Sequence, residues 1–333
     1  MSILTLQQGI LDTIQDRGRY GFQHLGINPG GVMDRVAMTV ANCLVGNAPA
    51  NAVIELHFPA GRYLFEAPAL IALSGAGFSA MADDTPLPLN RPVLIAKGAT
   101  LSFKRMEAGA RCYLAIRYGL MLTPWLGSNS THLKAAAGGY HGRQLQKNDR
   151  LLFTKEINIR QDFITAPAKL LPWIADTAHL YNRGSHIRII PGGAWALLDV
   201  PSQQQLLTGN FLITQHSDRM GFRLQGTALQ TVRKEEQLSS GVCRGAIQLL
   251  PDGQLIVLMA DHQTTGGYPL IAHVITADMP SLSQYLPGQT LQFENVNSNN
   301  ADAYLWQQDK DLCYLQHACN LRLEKWLSQY DLH

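Results

Sequence analysis

Short apolar runs, cut by Gly, Pro, Asn and Asp, recur along most of this chain. Residues 53–56, 70–74, 101–103, 112–118, 187–190, 209–214, 246–249 and 255–260 fit this pattern and are predicted strands. Many short strands with turn residues between them favour β-barrels or sandwiches. One early segment breaks the pattern. Val36, Ala37, Val40, Ala41 and Leu44 recur at helical spacing, which predicts a helix from Arg35 to Leu44. Asp34 is placed as its N-cap, Met33 as a hydrophobic staple onto Met38, and Gly46-Asn47 as a left-handed stop.

A small motif returns three times. Gly98, Asn148 and Gly288 each precede a Leu and a Phe two apart: Leu101 and Phe103, Leu151 and Phe153, Leu291 and Phe293. That spacing puts both side chains on one strand face. Gly-Gly-Tyr occurs at 138–140 and 266–268, and Asp-Arg followed by Gly-Phe at 16–22 and 218–222. These echoes suggest two related β-domains, one over 1–154 and one over 186–296. Between them, 155–185 reads as a linker, with Ala166-Pro167, Leu171-Pro172 and Asn182-Arg183-Gly184. After Asn297-Ser298-Asn299-Asn300 the pattern turns helical, so 297–333 is predicted to be a helical tail packed on a barrel or a partner.

The chain has 333 residues, is 46% hydrophobic and carries a net charge of only +2. It is long enough for two domains, and no basic block points to nucleic acid or an anionic membrane. No apolar run approaches the roughly 20 residues of a membrane span. The first twenty residues carry Asp12, Asp16, Arg17 and Arg19 and no apolar signal core. Five scattered cysteines fit reduced thiols, which predicts a cytoplasmic protein.

Polar clusters interrupt the strands at a few places. Gln263, Thr264, Thr265, Gly266, Gly267, Tyr268 and Pro269 follow the apolar strand 255–260. The glycine pair lets backbone approach a ligand, and the hydroxyls and amide can hold a polar or anionic group. A tight turn capping its own backbone is the alternative. Arg17 and Arg19 flank Gly18. In an extended segment they would present two guanidinium groups on one face, as an anion clamp or in a structural network with Asp16. Ser217, Asp218, Arg219 and Arg223 pose the same choice, with Asp218 able to pair Arg219 or take a substrate proton. Ser128, Ser130 and Thr131 with Arg143 could bind an anion or form a solvated loop. The sequence has no Walker, nucleophile-elbow or H-E-x-x-H motif, so no metal is expected. Of the histidines, His262 is singled out as a candidate acid-base group.

In order, residues 13–21 (TIQDRGRYG), 33–34, 41–42, 44–47, 126–131 (LGSNST), 138–143 (GGYHGR), 217–224 (SDRMGFRL) and 263–269 (QTTGGYP) resemble one family. It is the allophanate hydrolase subunit 2 family, also called the 5-oxoprolinase C-subunit or biotin-dependent carboxyltransferase-like family. The resemblance runs from about Gly9 to about Phe293. It implies a mainly β fold of two tandem cyclophilin-like β-barrels with a few helices. It also implies a B-type partner (allophanate hydrolase subunit 1-like), an A-type partner and ATP, with Mg by analogy. No Met-Lys-Met sequence is present, so biotin is not attached to this chain.

The function this implies is that of the C-subunit of a cytoplasmic ATP-dependent 5-oxoprolinase, which activates 5-oxo-L-proline for ring opening to L-glutamate. The alternatives are the carboxyltransferase component of a urea carboxylase/allophanate system and a non-catalytic regulator of a kinase-inhibitor partner. The expected catalytic residues are Asp218, Arg219, Arg223 and Gln263. The expected substrate- and ATP-binding residues are Asp16, Arg17, Arg19, Ser128, Ser130, Thr131, Arg143, Ser217, Thr264, Thr265, Gly266, Gly267 and Tyr268. Strand-end clusters 217–223 and 263–268 are expected to meet in one groove at a barrel rim.

Overall fold

A computed structural model describes residues 1–157, 164–182, 184, 186–233 and 238–329. The chain forms two compact units: Met1–Gly18, Asp34–Leu180 and Lys310–His333 in the first, Arg19–Met33 and Tyr181–Asp309 in the second.

The first unit holds two six-stranded sheets. One runs in spatial order Arg150–Leu152, Ser2–Gln7, Arg62–Phe65, Thr100–Phe103, Ala80–Ala82, Thr85–Pro86. The other runs Ala168–Leu170, Pro92–Ile95, Ala69–Gly77, Ala108–Ile116, Val53–His57, Thr13–Gln15. Alternation along the strands sends Ile3, Tyr63, Phe65, Ile71, Leu101 and Leu114 into one shared core. The helix Arg35–Leu44 packs on Ala69–Gly77 and Ala108–Ile116, and every residue after Arg35 is buried. The Asp34 carboxylate accepts the Ala37 N–H at 2.9 Å, the N-cap geometry expected from sequence. Met33, expected as a staple for this helix, instead joins the core of the second unit.

The second unit is a closed barrel of seven strands. Its order is His186–Pro191, Leu270–Val274, Ala246–Leu249, Leu255–Leu258, Gly221–Gln225, Phe211–Ile213, Thr290–Asn295. The last strand returns parallel to the first. Ile187, Ile189, Phe222, Leu224, Ile247, Leu249, Leu255 and Val257 fill its interior. The residues between them on each strand therefore face outward, and this places the site described below.

The triple motif has a structural meaning. Gly98, Asn148 and Gly288 take φ of +89°, +74° and +90°, turning the chain into a strand. Leu101, Leu151 and Leu291 are then buried, with Phe153 and Phe293 beside them. Within 155–185, Ala168–Leu170 is an edge strand on Pro92–Ile95. Edge positions tolerate flanking prolines, which is why the stretch reads as a connector. Residues 158–163, 183 and 185 of that stretch lie outside the described residues. The tail is one helix of 32 residues, Ser298–Gln329, with Leu312, Cys319, Leu323 and Trp326 buried along one stripe. Residues 330–333 are outside the described set. Among the described residues no helix is long and apolar enough to cross a membrane.

Asp12 is one of the fully buried carboxylates of the first unit. It accepts from Tyr63 Oη at 2.5 Å, Gly61 N at 2.7 Å and His57 N at 3.2 Å. Burial outweighs these bonds and pushes its carboxyl up to about 6. The folded state therefore holds a proton that the unfolded chain releases near pH 4. Its contribution to stability is fully present below that pH and is lost as pH rises through 6. The difference is about 3 kcal/mol. Asp12→Asn should flatten the stability profile between about pH 4 and 6, as read by denaturant midpoints at several pH values.

Candidate functional site

Strand alternation builds a cleft on the outer surface of the barrel. In Gly221–Gln225, Phe222 and Leu224 point inward and Arg223 outward. Arg223 pairs across the ladder with Ile256, and Ile256 with Gln248. One cross-strand row, Arg223–Ile256–Gln248, thus forms a floor. His216, Asp218 and Met220, the Leu250–Asp252 hairpin, and Gln263 and Tyr268 complete the lining of the cleft. The cleft holds about 480 Å³, enough for a small molecule.

Asp218, Arg223, Gln263 and Tyr268 therefore do meet in one groove, although the groove lies on the barrel's outer face and not at its rim. Arg223 is exposed, and its guanidinium has no partner among the described residues. Tyr268 is half exposed, as a wall would be. Asp218 folds back on its own turn, accepting from Met220 N at 2.7 Å. Ser217 Oγ accepts the backbone N–H of Arg223 at 3.0 Å and so fixes the strand start.

The stretch 264–267 has a different role from the expected cradle. Thr265–Gly266 pairs with Ser240–Gly241 as a two-stranded ribbon, and the Thr264 carbonyl accepts Val242 N at 3.1 Å. Its backbone groups are engaged in the ribbon, and neither threonine lines the cleft. Thr264→Val, which removes only a hydroxyl, should leave ligand affinity unchanged in a titration. Gly266 is needed for close approach. A Cβ there would stand 2.6 Å from Gln248 Nε2, and Gln248 is only 1% exposed beneath the ribbon. Sequence reasoning passed over Gln248. The available signal was a glutamine alternating with Ile247 and Leu249 in an otherwise apolar strand.

The comparisons with known proteins agree with one another. The model of the carboxyltransferase domain, subdomains A and B, matches residues 25–295. The chain belongs to this carboxyltransferase family. It is 37% identical to the 5-oxoprolinase C-subunit of Escherichia coli (strain K12), over 96% of this chain and 98% of that protein. It is 35% identical to the 5-oxoprolinase C-subunit of Haemophilus influenzae, over 87% and 89%. The crystal structure of the K. lactis urea amidolyase superimposes with a TM-score of 0.85 at 26% identity, covering 94% of this chain and 20% of that one.

In this carboxyltransferase-family chain most of the other expected site residues are committed elsewhere. Arg219 is 5% exposed and absent from the cleft. It grips Asp261, not Asp218, with Nε–Oδ2 at 2.9 Å and Nη2–Oδ1 at 3.1 Å, and donates to the Gly31 carbonyl at 2.6 Å. Asn28 Nδ2 reaches the Asp261 carbonyl at 2.9 Å, and Arg244 donates to the carbonyls of Val32 and Met33. Together these bonds tie residues 28–33 to the barrel. Arg219 lies outside the strand, so its spacing of four from Arg223 does not put the two on one face.

Arg17 and Arg19 also part company. Gly18 takes φ +92°, which breaks the extended geometry, so Arg17 is exposed and Arg19 buried. Asp16 is a structural hub. It accepts from Ser128 Oγ and Ser130 Oγ at 2.6 Å, Asn129 N at 2.6 Å and Gly18 N at 2.8 Å. Thr131 Oγ1 donates to the Ile14 carbonyl at 2.9 Å. These hydroxyls, 0% exposed, serve the loop and no external anion. Arg143 forms a fork with Asp149, at 2.6 and 2.8 Å. His262 is buried, outside the cleft, and burial holds its imidazole below the usual range. Among the described residues no group of three or more His, Cys, Asp or Glu could hold a metal ion.

Proposed function

We propose that this protein is the C-subunit of an ATP-dependent 5-oxoprolinase, acting in the cytoplasm with a B-type and an A-type partner. The reaction is the opening of 5-oxo-L-proline to L-glutamate. The observation that carries this reading is the outer-face cleft, where a guanidinium with no partner among the described residues stands beside carboxamides in a volume suited to a small carboxylate. Near full-length similarity to the C-subunits of two bacterial 5-oxoprolinases supports it.

The cleft does not fit ATP. A triphosphate needs several converging cations, and the lining of this cleft holds one guanidinium, alongside two aspartates, Asp218 and Asp252, whose carboxylates accept N–H groups of their own turns. Arg143 and Arg219, expected in a phosphate clamp, are forked onto Asp149 and Asp261. In this reading the nucleotide is held by another component of the complex, and this chain holds the small substrate. Arg223 binds its carboxylate, Tyr268 walls the cleft, and Gln263 offers a further polar contact.

Co-expression with the B- and A-type proteins, followed by assay of 5-oxoproline-dependent ATP hydrolysis and glutamate release, tests the assignment. Arg223→Gln should lower kcat/KM for 5-oxoproline by about 10- to 100-fold, the worth of one charge-assisted bond, at unchanged stability. The likeness to urea amidolyase favours a second reading, carboxyl transfer to urea. Carboxylation of urea by the assembled complex, with no turnover of 5-oxoproline, would overturn the first reading in favour of the second.

A further inference from the structure

Gln248 occupies a position that packing alone would give to an apolar residue. It sits on the outward face of Ala246–Leu249, beside Ile256, and is roofed by Gly266 and Val242. It is 1% exposed, yet its Nε2 has no hydrogen-bond partner among the described residues. A buried unsatisfied amide destabilises a fold, and a leucine or methionine of similar shape would remove that penalty. Gln248 is also among the residues that line the cleft. Above it the ribbon carries a residue with no Cβ, and any side chain at 266 would drive into Nε2.

We infer that Gln248 is the residue that reads the amide carbonyl of the ligand, while Arg223, at the other end of the same cross-strand row, reads its carboxylate. The ligand class is then a small molecule carrying both groups a few ångströms apart. Two strand spacings separate the two backbones, roughly 10 Å. This leaves room for one five- or six-membered ring. The roles differ in kind. The carbonyl is common to a lactam and to urea, whereas only the lactam acid carries the anion. Gln248 therefore selects for an amide, and Arg223 decides which amide. The inference rests on the cleft being the substrate site proposed above.

Binding by the purified full-length chain separates the two ideas. The probes are 5-oxo-L-proline, L-proline (no ring carbonyl), 2-pyrrolidinone (no carboxylate) and urea, titrated calorimetrically. The parent protein should prefer 5-oxo-L-proline to L-proline and to 2-pyrrolidinone by at least about tenfold, the worth of one good hydrogen bond. Gln248→Leu should erase the preference over L-proline and keep L-proline affinity. It should also leave Tm equal or higher, whereas a purely structural glutamine would lower Tm. Gly266→Ala, which displaces the amide, should give the same loss with Gln248 in place. Arg223→Gln should erase the preference over 2-pyrrolidinone. Retention of the 5-oxoproline preference in Gln248→Leu overturns the inference and leaves the functional assignment standing. Binding of urea alone, lost in Gln248→Leu, supports the role of Gln248 and overturns the assignment. No binding of any probe overturns the inference, while turnover by the assembled complex would still uphold the assignment.

Discussion

Replacing Arg219 with methionine should destabilise the second unit by about 3 kcal/mol or more and leave ligand affinity of the folded protein near the parent value. The guanidinium is almost fully buried, forked onto Asp261 and bonded to the Gly31 carbonyl. Removing one partner of a buried pair leaves the other charge uncompensated, a loss of roughly 3–5 kcal/mol. Asp261 keeps some solvent access, 18% of its side chain, which places the effect at the lower end. Arg219→Lys retains the charge but not the fork and should lie between the two. Denaturant titration measures the loss. Hydrogen exchange should locate it, with residues 28–33 exchanging faster. The double variant Arg219→Met/Asp261→Leu should recover part of the stability. An Arg219→Lys protein with parental stability and turnover down more than about 100-fold would restore the catalytic role that the sequence suggests for Arg219.

Asp16→Ala should be comparably damaging to the first unit, by about 3 kcal/mol or more, because it strands several buried donors at once. Its two oxygens accept from two seryl hydroxyls and two backbone N–H groups, and those serines have no exposure. Asp16→Asn should cost less, about 2 kcal/mol. Its oxygen can still serve Ser128, Ser130 and Gly18, but an amide nitrogen then faces the Asn129 N–H, donor against donor. Ser128→Ala removes one donor only and should cost about 1 kcal/mol. A double-mutant cycle between positions 16 and 128 should be non-additive, since both act in one network. If Asp16→Ala keeps parental stability and loses 5-oxoproline turnover in the assembled complex, the hub has a catalytic function and the structural account fails.

The β-rich architecture, the helix Arg35–Leu44 and the helical tail were all legible in the sequence, because each depends on local periodicity. The Asp34 cap and the Gly/Asn turns before Leu–Phe pairs follow from the same cause: backbone chemistry within a few residues decides them. Part of the cleft was also legible. Asp218, Arg223, Gln263 and Tyr268 are polar or amphipathic residues beside apolar strands, and strand alternation puts Arg223 outside. Tertiary structure alone decided what the other candidates touch. Arg219 resembles a substrate ligand in sequence until Asp261, 42 residues away, is seen to hold it. Asp16 finds Ser128 and Ser130 across 112 and 114 residues, and that pairing turns an apparent anion site into a loop clasp. Gln248 shows the reverse. Its strand reads as core from composition, and only barrel closure, by fixing which face is inside, leaves one amide outward and roofed, its Nε2 without a hydrogen-bond partner among the described residues. Charge and hydroxyl content are local properties of a sequence, but whether a polar group remains available depends on which distant partner the fold brings to it.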